Sequence, residues 1–458
     1  MSAEIHYDQG SIVLNGIPDK IRSGLSSIEF DSRVNKWRSP AFMYRDIVYE
    51  SYKDGLEVQD NARQYSKLDL ELSEKILPRP HQKEALDIWL KSGGKGVVSL
   101  PTGAGKTILA VLAINEIKRP SLIVVPTIDL LHQWQKTLQR FFSCDIGALG
   151  GGHRDLHSIT VATYDSAYLL CEQIGPKFGF IIFDECHHLP STQYQVIAQT
   201  SIAPFRLGLS ATVERPDGKE EIIYQLLGDL VYEGTIGGMV DKVLSPYDVV
   251  SIEVEMSEKE KEAYQKARSI YLAFVKKQRI NFSNPGGWQE FIKRSARAPG
   301  GVEAMAAYRE QKQLSQGSEA KVSELWNIFK HHVGDRLIVF TNDNALAYRI
   351  GREYLLPVLT HQTKPKERKR MLEGFRAGDL DILVTSKVLN EGVDVPEASV
   401  GIVVSGSGAV REHVQRLGRI LRHQEGKRAV LYELISKGTS EKYVNQRRRM
   451  HHAYKKSS

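Results

Sequence analysis

The sequence predicts an α/β protein: two parallel-sheet units, a small α/β unit ahead of the first, and a helical insert ahead of the second. Three observations carry this. Apolar strands alternate with helical stretches over residues 96–232. The same rhythm returns over 334–435. Between 258 and 330 it stops, and charged helical sequence replaces it. A chain of 458 residues, 41% apolar, has room for about three domains. The boundaries read as 1–72, 73–245, 246–330, 331–436 and a basic tail, 437–458.

Residues 1–72 read as a separate small unit. Glu4 to Tyr7 alternates, Asp8-Gln9-Gly10 supplies turn chemistry, and Ser11 to Leu14 resumes an apolar strand. Ala41 to Tyr49 fits a helix or a strand packed against it. No catalytic constellation falls here.

The next unit opens with Leu77-Pro78-Arg79-Pro80-His81-Gln82 and a helix running through Trp89. Gly96 to Leu100 is a buried strand, and a helix begins at Ile108. Between them lies Pro101-Thr102-Gly103-Ala104-Gly105-Lys106-Thr107. Strand, glycine loop and helix form the context of a phosphate-binding loop, whose backbone N–H groups cradle anions at a helix N-terminus. Lys106 would reach the β- and γ-phosphates, and Thr107 would offer its hydroxyl to Mg²⁺. The strict pattern has glycine where this chain has Leu100; the Pro-Thr-Gly form marks one large class of motor ATPases. Beside such a loop, the Gln82 amide can pair with the N6 and N7 edge of adenine, and Arg79 can stack on the base.

Further strands fit Ser121–Val125, Ile159–Thr163, Phe180–Phe183 and Leu207–Leu209. In a parallel sheet, functional residues lie in loops at the carboxyl ends of strands. Asp184-Glu185-Cys186-His187-His188 is such a loop. Asp184 suits Mg²⁺, and Glu185 suits orienting and deprotonating a water. Adjacent histidines cannot share a helix face, and no other ligands are suitably spaced, so zinc is not expected. Ser210-Ala211-Thr212 ends the next strand, where hydroxyls can link the nucleotide site to the neighbouring domain.

Net charge is +7, but its placement matters more. Residues 436–458 hold seven Lys/Arg against one Glu, and residues 258–330 hold fourteen against eight Glu, so the rest of the chain is net acidic. Such concentration suits a phosphate backbone. In the helical insert, Lys276, Lys277 and Arg279 lie among Tyr264, Tyr271, Phe274, Phe282, Trp288 and Phe291. Rings can stack on bases. An amphipathic insert whose rings form its own core fits most of them equally well. The three cysteines, Cys144, Cys171 and Cys186, have neither metal spacing nor a disulfide framework and read as buried thiols in a reducing compartment. No apolar run approaches membrane-spanning length and the N-terminus has no signal-peptide core, so a cytoplasmic protein without a membrane partner is expected.

The second α/β unit fits strands at Leu337–Phe340, Val358-Leu359, Ile382–Thr385, Val400–Val404 and Ala429–Leu434. Its loops hold Thr341, His361, Thr385 and Gly392-Val393-Asp394. Its last helix carries Gln415-Arg416-Leu417-Gly418-Arg419-Ile420-Leu421-Arg422. Arg419 and Arg422 are three apart, hence on one helix face. This unit has no phosphate loop of its own. The paired arginines make sense facing a nucleotide held by the first unit.

Taken in order, Arg79–Gln82, Thr102–Thr107, Asp184–His187, Ser210–Thr212, Gly392–Asp394 and Gln415–Arg422 resemble the motifs of superfamily two helicases over residues 76–435. The resemblance implies two RecA-like motor domains with ATP and Mg²⁺ between them. It implies Gly392 and Asp394 at the nucleotide, Gln415 beside the attacking water, and nucleic acid contacted by loops including Thr127, Thr163, Thr341, His361 and Thr385. It implies that His187, Ser210 and Thr212 couple the two events. Phe183–Pro190, Ile202–Leu209 and Gln415–His423 further resemble the archaeal and prokaryotic branch of the XPB repair helicases. That likeness implies an N-terminal damage-recognition domain, a helical thumb over 246–330, 3′-to-5′ polarity, forked, bubble or damaged DNA as substrate, and a nuclease partner. Arg215-Pro216-Asp217 occupies the position of the family's DNA-contacting Arg-Glu-Asp loop, without its middle acid. An RNA helicase or remodeller, and a nucleotide-gated DNA clamp that recruits a nuclease, stay open. For residues 1–72, docking and DNA contact both stay open.

Overall fold

The structure is a computed structural model, and it describes residues 3–213, 218–234, 247–282, 284, 286–386, 398–405 and 429–441. The chain divides into two compact units, residues 1–101 with 105–234, and residues 102–104 with 235–458. Their secondary structure is α/β with sheets that are mostly parallel.

In the first unit, residues 3–60 form a five-stranded sheet: β1 (Ala3–Asp8), β2 (Ser11–Asn15), β3 (Glu29–Asp31), β4 (Lys36–Pro40) and β5 (Val58–Asp60), in the order β3-β4-β2-β1-β5. Helices α1 (Asp19–Gly24) and α2 (Tyr44–Lys53) cover it. The Ala41–Tyr49 stretch is thus a turn of 3₁₀ helix followed by the start of α2. This sheet packs against the larger sheet of the same unit. Its core of Ile5, Ile12, Leu14, Ala41 and Ile47 is completed by Ile202 from the motor sheet's side. The Arg45 guanidinium donates to the carbonyls of Gly93 (2.7 Å) and Pro204 (3.0 Å), and the Tyr7 hydroxyl donates to that of Thr200 (3.0 Å).

The larger sheet of this unit has eight strands: β6 (Lys95–Ser99), β7 (Ser121–Val125), β8 (Ile146–Gly150), β9 (His153–Asp155), β10 (Ile159–Thr163), β11 (Phe180–Asp184), β12 (Phe205–Ser210) and β13 (Leu230–Glu233). Their order is β13-β6-β12-β11-β7-β10-β8-β9, and every pair is parallel except β8 with β9. Central strands such as β7 and β11 are buried at every residue, which is why they read as unbroken apolar runs. The helices are α3 (Pro80–Lys91), α4 (Lys106–Ile117), α5 (Ile128–Phe141), α6 (Tyr164–Ile174), α7 (Gln195–Gln199) and α8 (Glu220–Leu227). Buried residues of α5 recur as Leu131, Trp134, Leu138 and Phe141, a single apolar face turned to the sheet. Arg206 on β12 is 1% exposed and donates to four carbonyls, those of Ser201, Ala203, Ala198 and Leu226. Strand β8 has no apolar alternation. Its Gly147 is required because a Cβ there would lie 2.6 Å from the Asp155 carbonyl.

The second unit has a six-stranded sheet of β14 (Tyr247–Val254), β15 (Leu337–Phe340), β16 (Val358–Leu359), β17 (Ile382–Thr385), β18 (Val400–Val403) and β19 (Ala429–Ser436), ordered β14-β19-β18-β15-β17-β16 and parallel throughout. The helical insert is shorter than the 246–330 read from sequence. Residues 247–254 are an edge strand of this sheet, and helix Glu319–His331 buries Val322, Leu325, Ile328 and Phe329 in the sheet's core. The insert proper comprises helices Glu258–Lys277, Gly287–Ser295 and Gly301–Gln316. A capping box starts it: Ser257 accepts from the Glu260 N–H, and Glu260 accepts from that of Ser257.

Candidate active site

Parallel register brings the carboxyl ends of the first motor sheet level. Asp184 of β11 lies opposite Leu209 of β12, Ser210 opposite Ser99 of β6, and Thr163 of β10 opposite Val125 of β7. Each of these ends opens into a loop that the sequence singled out.

The loop after β6 turns twice in the left-handed region, at Gly103 and Gly105, both with φ near 88°. Gly105 caps α4, so the loop's N–H groups crowd a helix N-terminus. A Cβ on Gly105 would meet the Gln82 amide at 2.2 Å. Gln82 is 3% exposed: its Oε1 accepts from the Arg79 N–H (2.9 Å) and its Nε2 donates to the Gly105 carbonyl (3.1 Å). In this geometry the amide braces the phosphate loop through one acceptor and one donor position. Arg79 is exposed. The Thr102 hydroxyl is buried without a partner, an orphan that a phosphate oxygen would satisfy.

Lys106, the first residue of α4, holds its Nζ 3.4 Å from Glu185 Oε1. Glu185 sits at φ 47°, a conformation β-carbon-bearing residues seldom adopt, and it begins the 3₁₀ turn that carries His187. The second Glu185 oxygen is 3.4 Å from His187 Nδ1, which is also 3.2 Å from Ser210 Oγ. Ser210 spends its own proton on the Thr212 carbonyl (2.7 Å). It therefore accepts from His187, which assigns the proton to Nδ1. Lys106, Glu185, His187 and Ser210 are thus one connected set. Both Ser210 bonds lie within its own unit. The Thr212 hydroxyl is buried and unpartnered.

Asp184 is 6% exposed, and its carboxyl is pushed up to about 6 by burial first and by the Glu185 charge second; Lys106 opposes the shift. Oδ1 accepts from the Glu185 N–H (3.0 Å) and Oδ2 from the Trp134 indole N–H (2.8 Å). The Tyr164 hydroxyl donates to the Asp184 carbonyl (3.2 Å). Neither ring was singled out from the sequence. A signal existed for Trp134: it lies seven residues after Thr127, two helical turns on, and so on the same face of α5. Thr107 and Asp184 are a hydroxyl and a carboxylate, hard oxygen donors of the kind Mg²⁺ takes beside phosphate. Among the described residues no three His, Cys, Asp or Glu gather as a metal cluster.

Thr127 and Thr163 cap α5 and α6, accepting from the N–H groups of Leu130 and Ser166 (3.3 Å each). In the second unit, Thr341 and Thr385 are fully buried, with hydroxyls donated to the carbonyls of Thr385 and Asp343 and of Ser386. At these two loops the side-chain hydroxyls are thus committed to carbonyls, while His361 is exposed, 3.3 Å from Asn344, which in turn bonds Ser386. Lys276, Lys277 and Arg279 are exposed at the end of helix Glu258–Lys277. Among the rings, Phe291, Phe274 and Tyr264 are buried, and Phe291 and Phe274 belong to the insert's own core, while Trp288 and Phe282 stay over 40% exposed. Arg215, Asp217, Gly392, Asp394, Gln415, Arg419 and Arg422 lie outside the described residues.

Comparison with known proteins follows this layout. Residues 5–62 match the Xeroderma pigmentosum group B helicase damage recognition domain, residues 75–215 the res subunit of type III restriction enzymes, and residues 309–454 the ERCC3/RAD25/XPB C-terminal helicase. The chain is 38% identical to a protein of Sulfurisphaera tokodaii named DNA 3′-5′ translocase XPB2, over 92% of this chain and 95% of that one. The chain belongs to the XPB helicase family. A second XPB relative, the DNA 3′-5′ helicase XPB of Kineococcus radiotolerans, is 30% identical over 81% of this chain and 62% of its own length. The Hef helicase domain of Pyrococcus furiosus shares the fold at a TM-score of 0.51 and 20% identity, covering 81% of this XPB chain and 98% of the Hef domain. Membership of a helicase family implies dependence on ATP. Among the described residues no helix is long and apolar enough to cross a membrane.

Proposed function

We propose that this XPB-family chain is an ATP-driven DNA translocase of 3′-to-5′ polarity that opens duplex DNA in nucleotide excision repair. The observation that carries the reading is the connected set Lys106, Glu185, His187 and Ser210 at the carboxyl ends of a parallel sheet, in a chain 38% identical to a named DNA 3′-5′ translocase.

Lys106 and Glu185 hold each other at 3.4 Å. A triphosphate in the loop competes for Lys106 and frees the Glu185 carboxylate to accept a proton from the attacking water. His187 stays on the other Glu185 oxygen and carries that change to Ser210. Thr107 and Asp184 would hold Mg²⁺, which would supply charge neutralisation at the phosphates. Gln415, Arg419 and Arg422 complete the proposal from the family likeness, as groups that position water and stabilise transferred charge. The capped helices after Thr127 and Thr163, His361, and the cations of the helical insert form the proposed DNA path. Gly392 and Asp394 at the nucleotide, a nuclease partner and a cytoplasmic setting belong to the same proposal. The free thiols Cys144, Cys171 and Cys186 fit that compartment.

The test is steady-state ATP hydrolysis with DNA and with RNA of equal length. Stimulation by DNA alone is expected; equal stimulation by RNA would support an RNA motor instead. Glu185→Gln is expected to lower turnover at least ~100-fold while a fluorescent ATP analogue still binds. Unchanged turnover would remove Glu185 from the role of base.

A further inference from the structure

Trp134 offers a single hydrogen-bond donor and no acceptor. It is 1% exposed, so its donor has no water to turn to, and it points that donor at Asp184 Oδ2, 2.8 Å away. The other Asp184 oxygen is taken by a backbone N–H at 3.0 Å. The carboxylate therefore has its plane fixed from both ends, and one end is a side chain from a different element.

That element is α5. Its cap is Thr127, at the rim assigned above to DNA, and Trp134 sits two turns below on the same face. A second tie runs parallel to the first. Tyr164, 2% exposed and the first residue of α6 behind its Thr163 cap, donates its hydroxyl to the Asp184 carbonyl at 3.2 Å. Two helices whose N-termini line one rim thus each place one donor on the same residue. A packed indole cannot swing independently of its helix. Any displacement of α5 that follows binding at its N-terminus reaches the Asp184 carboxylate directly.

We propose that Trp134 is a positioning residue for Asp184: its indole N–H fixes the carboxylate for the metal of Mg·ATP and transmits the state of the α5 rim to it. The proposal rests on the function proposed above. It adds a route from DNA to the metal ligand that bypasses His187 and Ser210. It also explains why a tryptophan, rather than another large apolar residue, occupies this place in α5: packing alone would leave the N–H without a purpose.

The experiment uses the full chain and Trp134→Phe, which keeps a ring and loses the donor. Equilibrium binding of a fluorescent non-hydrolysable ATP analogue is measured in EDTA and in Mg²⁺, with and without single-stranded DNA. Metal-free binding is expected to stay within about twofold of the parent. The gain in affinity on adding Mg²⁺ is expected to fall 10- to 100-fold, the usual effect of losing a hydrogen bond to a metal ligand. DNA is expected to sharpen the Mg²⁺ dependence of the parent and to leave that of the variant unchanged. An unaltered Mg²⁺ gain would overturn the proposal. Equal losses with and without Mg²⁺ would overturn it too, since they mark lost packing. Should Trp134→Phe fail to fold, benzothienylalanine placed at 134 keeps the indole shape without the N–H, and the same outcomes apply. A parent that ignores DNA altogether would refute the proposed function, while the Mg²⁺ arm would still judge Trp134.

Discussion

Asp184 is held in its charged form against its surroundings. Burial and the Glu185 carboxylate both raise its carboxyl, to about 6, well above an ordinary aspartate. A carboxyl whose folded value is raised makes the fold less stable as pH climbs from the unfolded value through the folded one. The charged carboxylate therefore opposes folding at neutral pH. Asp184→Asn removes the charge but keeps one acceptor where the Trp134 and Glu185 N–H groups use two, so its Tm is compared with the parent's across pH. The difference is expected to move in the variant's favour as pH rises from about 4 to about 6.5. A difference that stays constant over that range would show that the Asp184 charge does not oppose folding. The site's charged residues were legible because each motif places a specific chemical group at a strand end: Lys106 after its glycines, Asp184 and Glu185 after four apolar residues. Burial was not legible in the same way. Thr341 and Thr385 have the right residue type and the right place in sequence, and only the fold turns their hydroxyls inward to carbonyls. Gln82 likewise looks free until Gly105 is folded against it.

At the level of elements, hydrophobic periodicity located the central strands and the edge strand β16, and missed β8, β9, β13 and β14. β7 and β11 announce themselves because both faces are covered. β8, with two glycines in five residues, and β14, an edge strand, do not. Residues 247–254 therefore fall inside the helical insert that the sequence predicts, although they belong to the sheet. Within the insert, the apolar rings mostly serve its own core. The charges are a separate matter: Lys276, Lys277 and Arg279 are exposed together at one end, where cations also complement the helix dipole. Reversing all three to Glu is expected to weaken DNA binding and to flatten the salt dependence of its affinity by about 2 in the log–log slope. A far-ultraviolet spectrum checks that the helix survives. An unchanged slope would route the DNA elsewhere.

For the whole molecule, the fold joins the N-terminal sheet firmly to the first motor sheet, through Ile202 in a shared core and Arg45 on two carbonyls. Residues 5–62 and the motor sheet thus act as one body, so whatever the N-terminal sheet contacts is carried along with the ATP site. The central claim is that ATP turnover at Lys106 and Glu185 moves this body along DNA in one direction. The most direct measurement follows the full chain on single-stranded DNA blocked at its 3′ or its 5′ end, scoring release of the block with ATP and Mg²⁺. The account predicts release from the 5′ end only, lost in Glu185→Gln. Release from the 3′ end, or release that persists in that variant, would contradict it.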